Sequence, residues 1–507
     1  MGPLANRSPL TRTALRLLGD RRLILGANRG PVNFSSAADG TLRARRGSGG
    51  VVTALSQVGD HVPVTWVATT MNDAERRAAR DPRTVADAMP NDRVRLRLAV
   101  VDRAVFEASH NVIANPLLWF FQHEMWNLPE RPLIDDATMR AWRHGYLPLN
   151  EAFADAILAE VPYGDRAPRI MLHDYHLYLA AEPIRRALPN AIISHFTHIP
   201  WPSSSLWQVL PPVMREAITR GMLANDIVGF QTDRYAHNFL RCVETFVPEA
   251  HVDFRSRTVA HGGRMTRTRT YPISIDVAAT RRVAATTAAR RRRSELEALS
   301  ADRILVRVDR LEPSKNILRG FHAFEALLDQ HPELRGNVTF LAFLVPSRTS
   351  IREYRDYGRK VRDAAERINA RFGRAGRVPV HIFFENNYAQ ALAALTVADV
   401  VLVNPLIDGM NLVAKEAVVV NQRDGVLVLS ETAGAYEQMA DGVLPVAAAD
   451  IVGTADALAT ALAMHVDDRR QRLARLRAGV EREDISWWLR RQLLDLVKIA
   501  ESRDSTA

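Results

Sequence analysis

"VNPLIDGMNLVAKEAVVV", residues 403–420, starts as the tail of a buried strand and ends as an apolar helix. Asp408, Gly409, Asn411, Lys415 and Glu416 are crowded at the handover. Pro405 ends the strand, Asp408-Gly409 reads as a turn, and Asn411 stands where a helix would start. The first-turn amides, including those of Leu412 and Val413, then have no acceptor within the helix, and such a helix start binds anions, phosphate above all. Glu416, one turn further in, is placed to accept hydrogen bonds from a ribose diol, whereas Asp408 suits sugar hydroxyls better than a phosphate it would repel. Taken alone, the stretch is equally an ordinary turn followed by a surface glutamate.

A strand that hands over to a helix in this way is one unit of a parallel sheet, and the chain repeats the alternation on both sides of it. Strands are predicted at 22–28, 64–70, 169–175, 191–198 and 226–230, with "TYPISI" (270–275) closing the first series. A second series follows at 304–309, 338–345, 380–385, 400–405 and 426–431. The expected architecture is α/β, with two Rossmann-like doubly wound domains, 1–275 and 276–483, facing across a cleft at the strands' carboxyl ends. A last helix at 484–507, carrying Trp487 and Trp488, is expected to pack back toward the N-terminal domain. No internal repeat or low-complexity linker interrupts the chain.

Composition narrows the function classes. With 507 residues, 47% hydrophobic and 24% charged, the chain has globular composition and too much length for a single core. The uncharged stretch 191–214 has spanning length but contains Pro200, Pro202, Pro211 and Pro212 and does not read as a spanning helix, so no membrane partner is expected. Cys242 is the only cysteine, which excludes an intrachain disulfide framework and fits a cytoplasmic setting. The net charge of +10 is due to arginine, and its densest run, 290–293, lies in a helical pattern without interleaved aromatics. That is a solvated helix face rather than a nucleic-acid site. The oligomeric state, including a homo-oligomer, stays open.

Three further stretches carry chemistry. In "VRVDRLEPSKN" (306–316), Arg310 and Lys315 leave a strand together and have the charge and spacing to neutralise a pyrophosphate. No D-x-D element accompanies them, so no metal or other cofactor is expected. "MLHDYHLY" (171–178) and "SHFTHIPWP" (194–202) place Asp174 and His198 at strand ends, the first suited to an acceptor and the second to a donor ring. Their histidines lack the spacing of a metal site. "GANRGPVNF" (26–34) with "RRGSGGVV" (45–52) offers Gly47, Gly49 and Gly50 for close backbone approach to a phosphate, but matches neither the dinucleotide fingerprint nor the P-loop.

Taken together, "HDYHL" (173–177), "HIPWP" (198–202), "GFQTDRYAHNFL" (229–240), "YPISID" (271–276), "RLEPSKN" (310–316) and "DGMNLVAKEA" (408–417) resemble the trehalose-6-phosphate synthase family (GT20) of retaining glycosyltransferases. The resemblance implies a GT-B fold and small-molecule substrates, one of them a nucleotide-diphosphate donor. It implies that Arg310 and Lys315 meet the donor diphosphate, Asp408 and His198 the transferred ring, and Glu416 the ribose. It also places Asn411, Leu412, Val413, Gly49 and Gly50 beside the donor, and Arg29, Asp174 and Arg348 on the acceptor, the two arginines at its phosphate.

Departures from the family pattern point to one branch. Ile407 replaces the arginine of "LRDGMN", "LDYSKG" has become "LEPSKN", and the acceptor motif "FHY" reads Gln122-His123-Glu124. This resembles the pseudo-glycosyltransferases of the validoxylamine A 7′-phosphate synthase type. They couple a nucleotide-activated cyclitol, GDP-valienol, to an aminocyclitol phosphate, validamine 7-phosphate. True trehalose-6-phosphate synthesis is the alternative, and the nucleotide base stays open.

Overall fold

The computed structural model describes residues 8–505 apart from 20, 48, 49, 57, 90, 349–351 and 375. It divides into two compact units, Met1–Pro272 with Ser486–Ala507, and Ile273–Ile485.

The first unit is built on a nine-stranded sheet in the order Val94–Ala99, Val64–Thr69, Leu23–Ala27, Arg169–His173, Ile192–Phe196, Ile227–Phe230, Arg264–Thr270, Thr258–His261 and His251–Asp253. The first seven run parallel, and the last two add an antiparallel extension. Leu23–Ala27, Arg169–His173 and Ile192–Phe196 are buried at every position, as strands covered on both faces must be. Val94–Ala99, which the sequence reading missed, is an edge strand in which outward Arg95 and Arg97 alternate with buried Val94, Leu96 and Leu98, a period-2 pattern unlike the continuous apolar runs of the central strands. The expected strand at 270–275 is corrected: the strand ends at Thr270, and 271–276 is irregular. Pro272 there has no N–H to continue a ladder.

The second unit holds six strands, all parallel, in the order Val380–Phe383, Val338–Pro346, Arg303–Leu311, Val400–Val403, Val426–Ser430 and Leu444–Val446. Phe321 and Phe324, from the helix Ile317–Gln330, pack edge-on against Phe340 of the second strand. They anchor a core in which each fully buried large apolar side chain contributes roughly 1.5–3 kcal/mol. The arginine run lies on the helix Thr287–Leu299, where Arg291 and Arg292 pair with Glu295 and Arg293 with Glu297.

The final helix, Ile485–Asp504, contributes fully buried Trp488 to the first unit. Its Nε1 donates to Tyr271 O at 3.0 Å, and Tyr271 OH donates to Asp495 Oδ2 at 2.8 Å. Among the described residues, no helix is long and apolar enough to cross a membrane.

Candidate active site

In the first unit, three adjacent parallel strands deliver three of the expected residues to their carboxyl ends: Arg29 after Leu23–Ala27, Asp174 after Arg169–His173, and His198 after Ile192–Phe196. Asp174 has φ 74° and ψ 168°, a strained conformation for a residue with a Cβ, and its N–H is pinned to Phe196 O at 2.8 Å. Its Oδ1 accepts from His198 N–H at 3.3 Å, so the structure brings Asp174 and His198 together.

His198 Nε2 and His173 Nδ1 share a hydrogen bond of 3.2 Å, and Trp488 lies 6.3 Å from the His198 ring centroid. Burial, reinforced by neighbouring His195, pushes His198 down to about 3. His195 falls to about 3 and His173 well below its usual value for the same desolvation. These imidazoles are therefore neutral hydrogen-bonding groups at ordinary pH. Arg29 is exposed; its carbonyl accepts from Trp66 Nε1 at 3.1 Å.

The glycine stretch is corrected in part. Gly47 serves the chain's own packing: its N–H donates to Pro31 O at 2.7 Å, and a Cβ would lie 2.5 Å from Gly30 O. Gly50 opens the helix Gly50–Ser56, and Gly49 lies outside the described residues.

The second unit gathers charge in the same topological position. Arg310, Arg348 and Asp408 lie at or beyond the carboxyl ends of three neighbouring strands, with Lys315 in the turn after Arg303–Leu311. Lys315 Nζ forms a short ion pair with Asp408 Oδ2. Asp408, expected at sugar hydroxyls, thus has a cation on it, and Asn411 Nδ2 donates to the same oxygen at 3.1 Å. Arg310, expected beside Lys315 on a diphosphate, pairs with Glu312 Oε1 at 2.9 Å. Arg348 Nη1 reaches that same oxygen at 3.4 Å and also donates to Tyr354 OH at 2.8 Å. Beneath them, buried Arg307 binds Asp309 and donates to Lys315 O at 2.9 Å, holding the turn that carries the lysine. Asn316, at the family's glycine position, adopts φ 56°, a left-handed conformation that asparagine tolerates.

The opening stretch forms the helix Leu412–Val420 with Asn411 as its cap, the Asn411 Oδ1 accepting from Ala414 N–H at 3.3 Å. The amides of Leu412 and Val413 remain first-turn donors without an intrahelical acceptor. Instead of a free turn, Asp408 makes a bridge to Ala433, and a Cβ on Gly434 would lie 1.9 Å from Gly409 O. That close approach holds the helix start in place. Glu416 is half-buried, accepts from Tyr388 OH at 3.0 Å, and is pushed up to about 7 by desolvation. Ile407, in place of the family's arginine, is buried.

Several supporting residues escaped the sequence reading. Lys415 is 1% exposed and donates to Ile273 O and Gln438 Oε1, both at 2.7 Å. Burial lowers it to about 7 against the opposing pull of Glu483. Glu312 and Lys415 stand inside the quoted motifs, so their signal was present; Trp488 and Tyr388 are too distant in sequence to be associated with the site. Among the described residues, no group of three or more His, Cys, Asp or Glu is arranged to hold a metal ion.

Two doubly wound α/β units, with cations and a capped helix start at strand carboxyl ends, define a glycosyltransferase of the GT-B class. The profile of glycosyltransferase family 20 matches residues 21–498, and the chain belongs to that family. It is 32% identical over 496 residues to a bifunctional trehalose-6-phosphate synthase/phosphatase of Thermoproteus tenax, covering 95% of this chain but only 64% of that protein's length. It is 30% identical over 493 residues to a validamine 7-phosphate valienyltransferase of Streptomyces hygroscopicus subsp. jinggangensis, covering 96% of each. The crystal structure of an α,α-trehalose-phosphate synthase (UDP-forming) from Burkholderia vietnamiensis is similar with TM-score 0.79 and 27% identity, over 95% of this chain and 99% of that one.

Proposed function

We propose that the chain is a pseudo-glycosyltransferase that joins GDP-valienol to validamine 7-phosphate through nitrogen with retention, giving validoxylamine A 7′-phosphate and free GDP. The observation that carries this reading is the rebuilt acceptor loop. Where the family reads "FHY", Gln122 is buried, donating to Tyr178 OH at 2.8 Å and Pro200 O at 3.0 Å. His123 is buried against Trp119, with Nδ1 2.7 Å from Trp119 O. Glu124 alone is exposed, with φ 51°. A carboxylate where the family pattern helps hold the acceptor phosphate marks a changed acceptor loop, and a negative charge there suits an amine-bearing acceptor. The similarity to a valienyltransferase supports the same reading.

In the proposed reaction the donor C–O bond breaks, the electron pair leaves with the diphosphate, and the cyclitol double bond delocalises the positive charge. Arg310, Lys315 and the Leu412 and Val413 amides stabilise the leaving group. Asp174 and His198 hold the reacting rings. The acceptor nitrogen attacks from the departing side, and its proton passes to the leaving phosphate oxygen, so no metal or cofactor is required. Turnover is expected to survive a chelator.

Trehalose-6-phosphate synthesis is the second reading, favoured by the retention of Arg310, Lys315, Asp408, Asn411 and Glu416. Mass spectrometry of products from GDP-valienol with validamine 7-phosphate, and from UDP- or GDP-glucose with glucose 6-phosphate, separates the two. A C–N-linked product from the first pair alone is expected. Efficient trehalose 6-phosphate formation rejects the pseudo-glycosyltransferase and leaves the diphosphate site standing.

A further inference from the structure

We propose that Glu312 is a positioning residue, a shared counter-ion through which the arginine of the donor diphosphate and the arginine of the acceptor phosphate are set together. Its side chain is fully buried at the end of the strand Arg303–Leu311. One oxygen, Oε1, takes three polar contacts: Arg310 Nη1 at 2.9 Å, Arg348 Nη1 at 3.4 Å and Ser347 Oγ at 2.8 Å. Oε2 is buried and has no hydrogen-bond partner among the described residues. Arg310, Arg348 and Lys315 together hold the carboxyl below its usual range although burial opposes them.

Two guanidiniums repel one another, and here their convergence on one carboxylate oxygen offsets that repulsion. The arrangement restrains each arginine at the cost of part of its field. A Gln at 312 would release that restraint and at the same time leave the cluster more positive. Anion binding should then hold or tighten while the productive geometry is lost, a split that general damage to the fold would not produce.

The inference rests on the reading in which Arg310 meets the donor diphosphate, and the Arg310→Ala variant tests that reading separately. Its affinity for GDP should fall by about tenfold or more, the usual scale for a desolvated charge contact. Unchanged affinity would overturn the diphosphate assignment itself. For Glu312→Gln, GDP affinity measured by calorimetry should be equal to or above that of the wild type, with kcat lowered about tenfold or more. Affinity that falls in step with kcat, or a kcat close to wild type, overturns the proposal. Arg348→Gln gives an independent check with no acceptor present. With Arg348 gone, Arg310 is the one guanidinium left on Glu312 and loses more of its field to that carboxylate, so GDP should bind several-fold more weakly. An unchanged GDP affinity would confine Arg348 to the acceptor and defeat the shared counter-ion.

Discussion

The strand ends of the two units are chemically opposite. In Ile273–Ile485 they carry ions: Lys315 on Asp408, and Arg310 and Arg348 on Glu312. In the other unit, apart from exposed Arg29, they carry buried neutral imidazoles beside one strained carboxylate, Asp174. The same topology therefore supports two kinds of site. Fixed, pre-paired charges suit a group that leaves as a diphosphate, since they need little reorganisation when charge develops. Neutral hydrogen-bonding groups suit polyol rings, which must be oriented without a net charge being buried.

The largest expected effect tests the charged half. Lys315→Ala should lower kcat by roughly 10²–10³, as removal of a preorganised group at a developing negative charge does elsewhere. Circular dichroism should show the fold retained, because the turn is held by Arg307 and Asn316 rather than by the lysine ammonium. Near-normal turnover would end the contrast drawn between the two units.

The neutral half should reveal itself in acid. His195 and His198 have folded values near 3, below an unfolded value of 6.5, so the unfolded chain binds more protons between those limits. Their contribution to stability is then complete above pH 6.5 and declines as pH falls toward 3, by roughly 1.4 kcal/mol per pH unit for each such group. Hydrogen exchange followed separately in the two units should show the imidazole-bearing unit losing protection first. His195→Leu should shallow the decline, since it removes a fully buried imidazole whose titration is set by desolvation. An equal loss of protection in both units would contradict the assignment of neutral, desolvated rings.

Lys415 acts with the same sign in a higher pH window. Its folded value near 7 lies below 10.5, so the unfolded chain holds more protons across that range and stability should rise with pH between 7 and 10.5. Denaturant midpoints measured across this range should climb in the wild type and stay flat in Lys415→Met. A climb that persists in the variant would assign the effect to another group.

The smallest effect concerns Glu416. With its carboxyl near 7, it is ionised above that pH and protonated below it. If it accepts from a ribose diol, GDP affinity should drop several-fold as pH falls through 7, beyond any drop shown by Glu416→Gln. Parallel pH profiles for the two proteins would move Glu416 to a purely structural partnership with Tyr388.

Much of the fold was legible because its signals are local. Leu23–Ala27, Val338–Pro346 and Val400–Val403 are short apolar runs bounded by polar punctuation, and each is a strand. Val94–Ala99 was missed because it alternates arginines with apolar residues in place of a continuous apolar run, and "TYPISI" misled because β-branched residues flank a proline that cannot join a ladder. Asn411 was readable as a helix cap because capping depends on the three residues that follow it.

What the sequence determined by itself is therefore the set of elements, their order and the residues standing at their ends, since propensity, turn chemistry and capping act over a few positions. Tertiary structure decided the partnerships. Glu312 meets Arg348 across 36 residues, Lys315 meets Asp408 across 93, and Lys415 meets Ile273 across 142. It also decided which groups keep their charge: His198 and Lys415 have their titration set by desolvation, and how much water a side chain loses depends on everything packed around it.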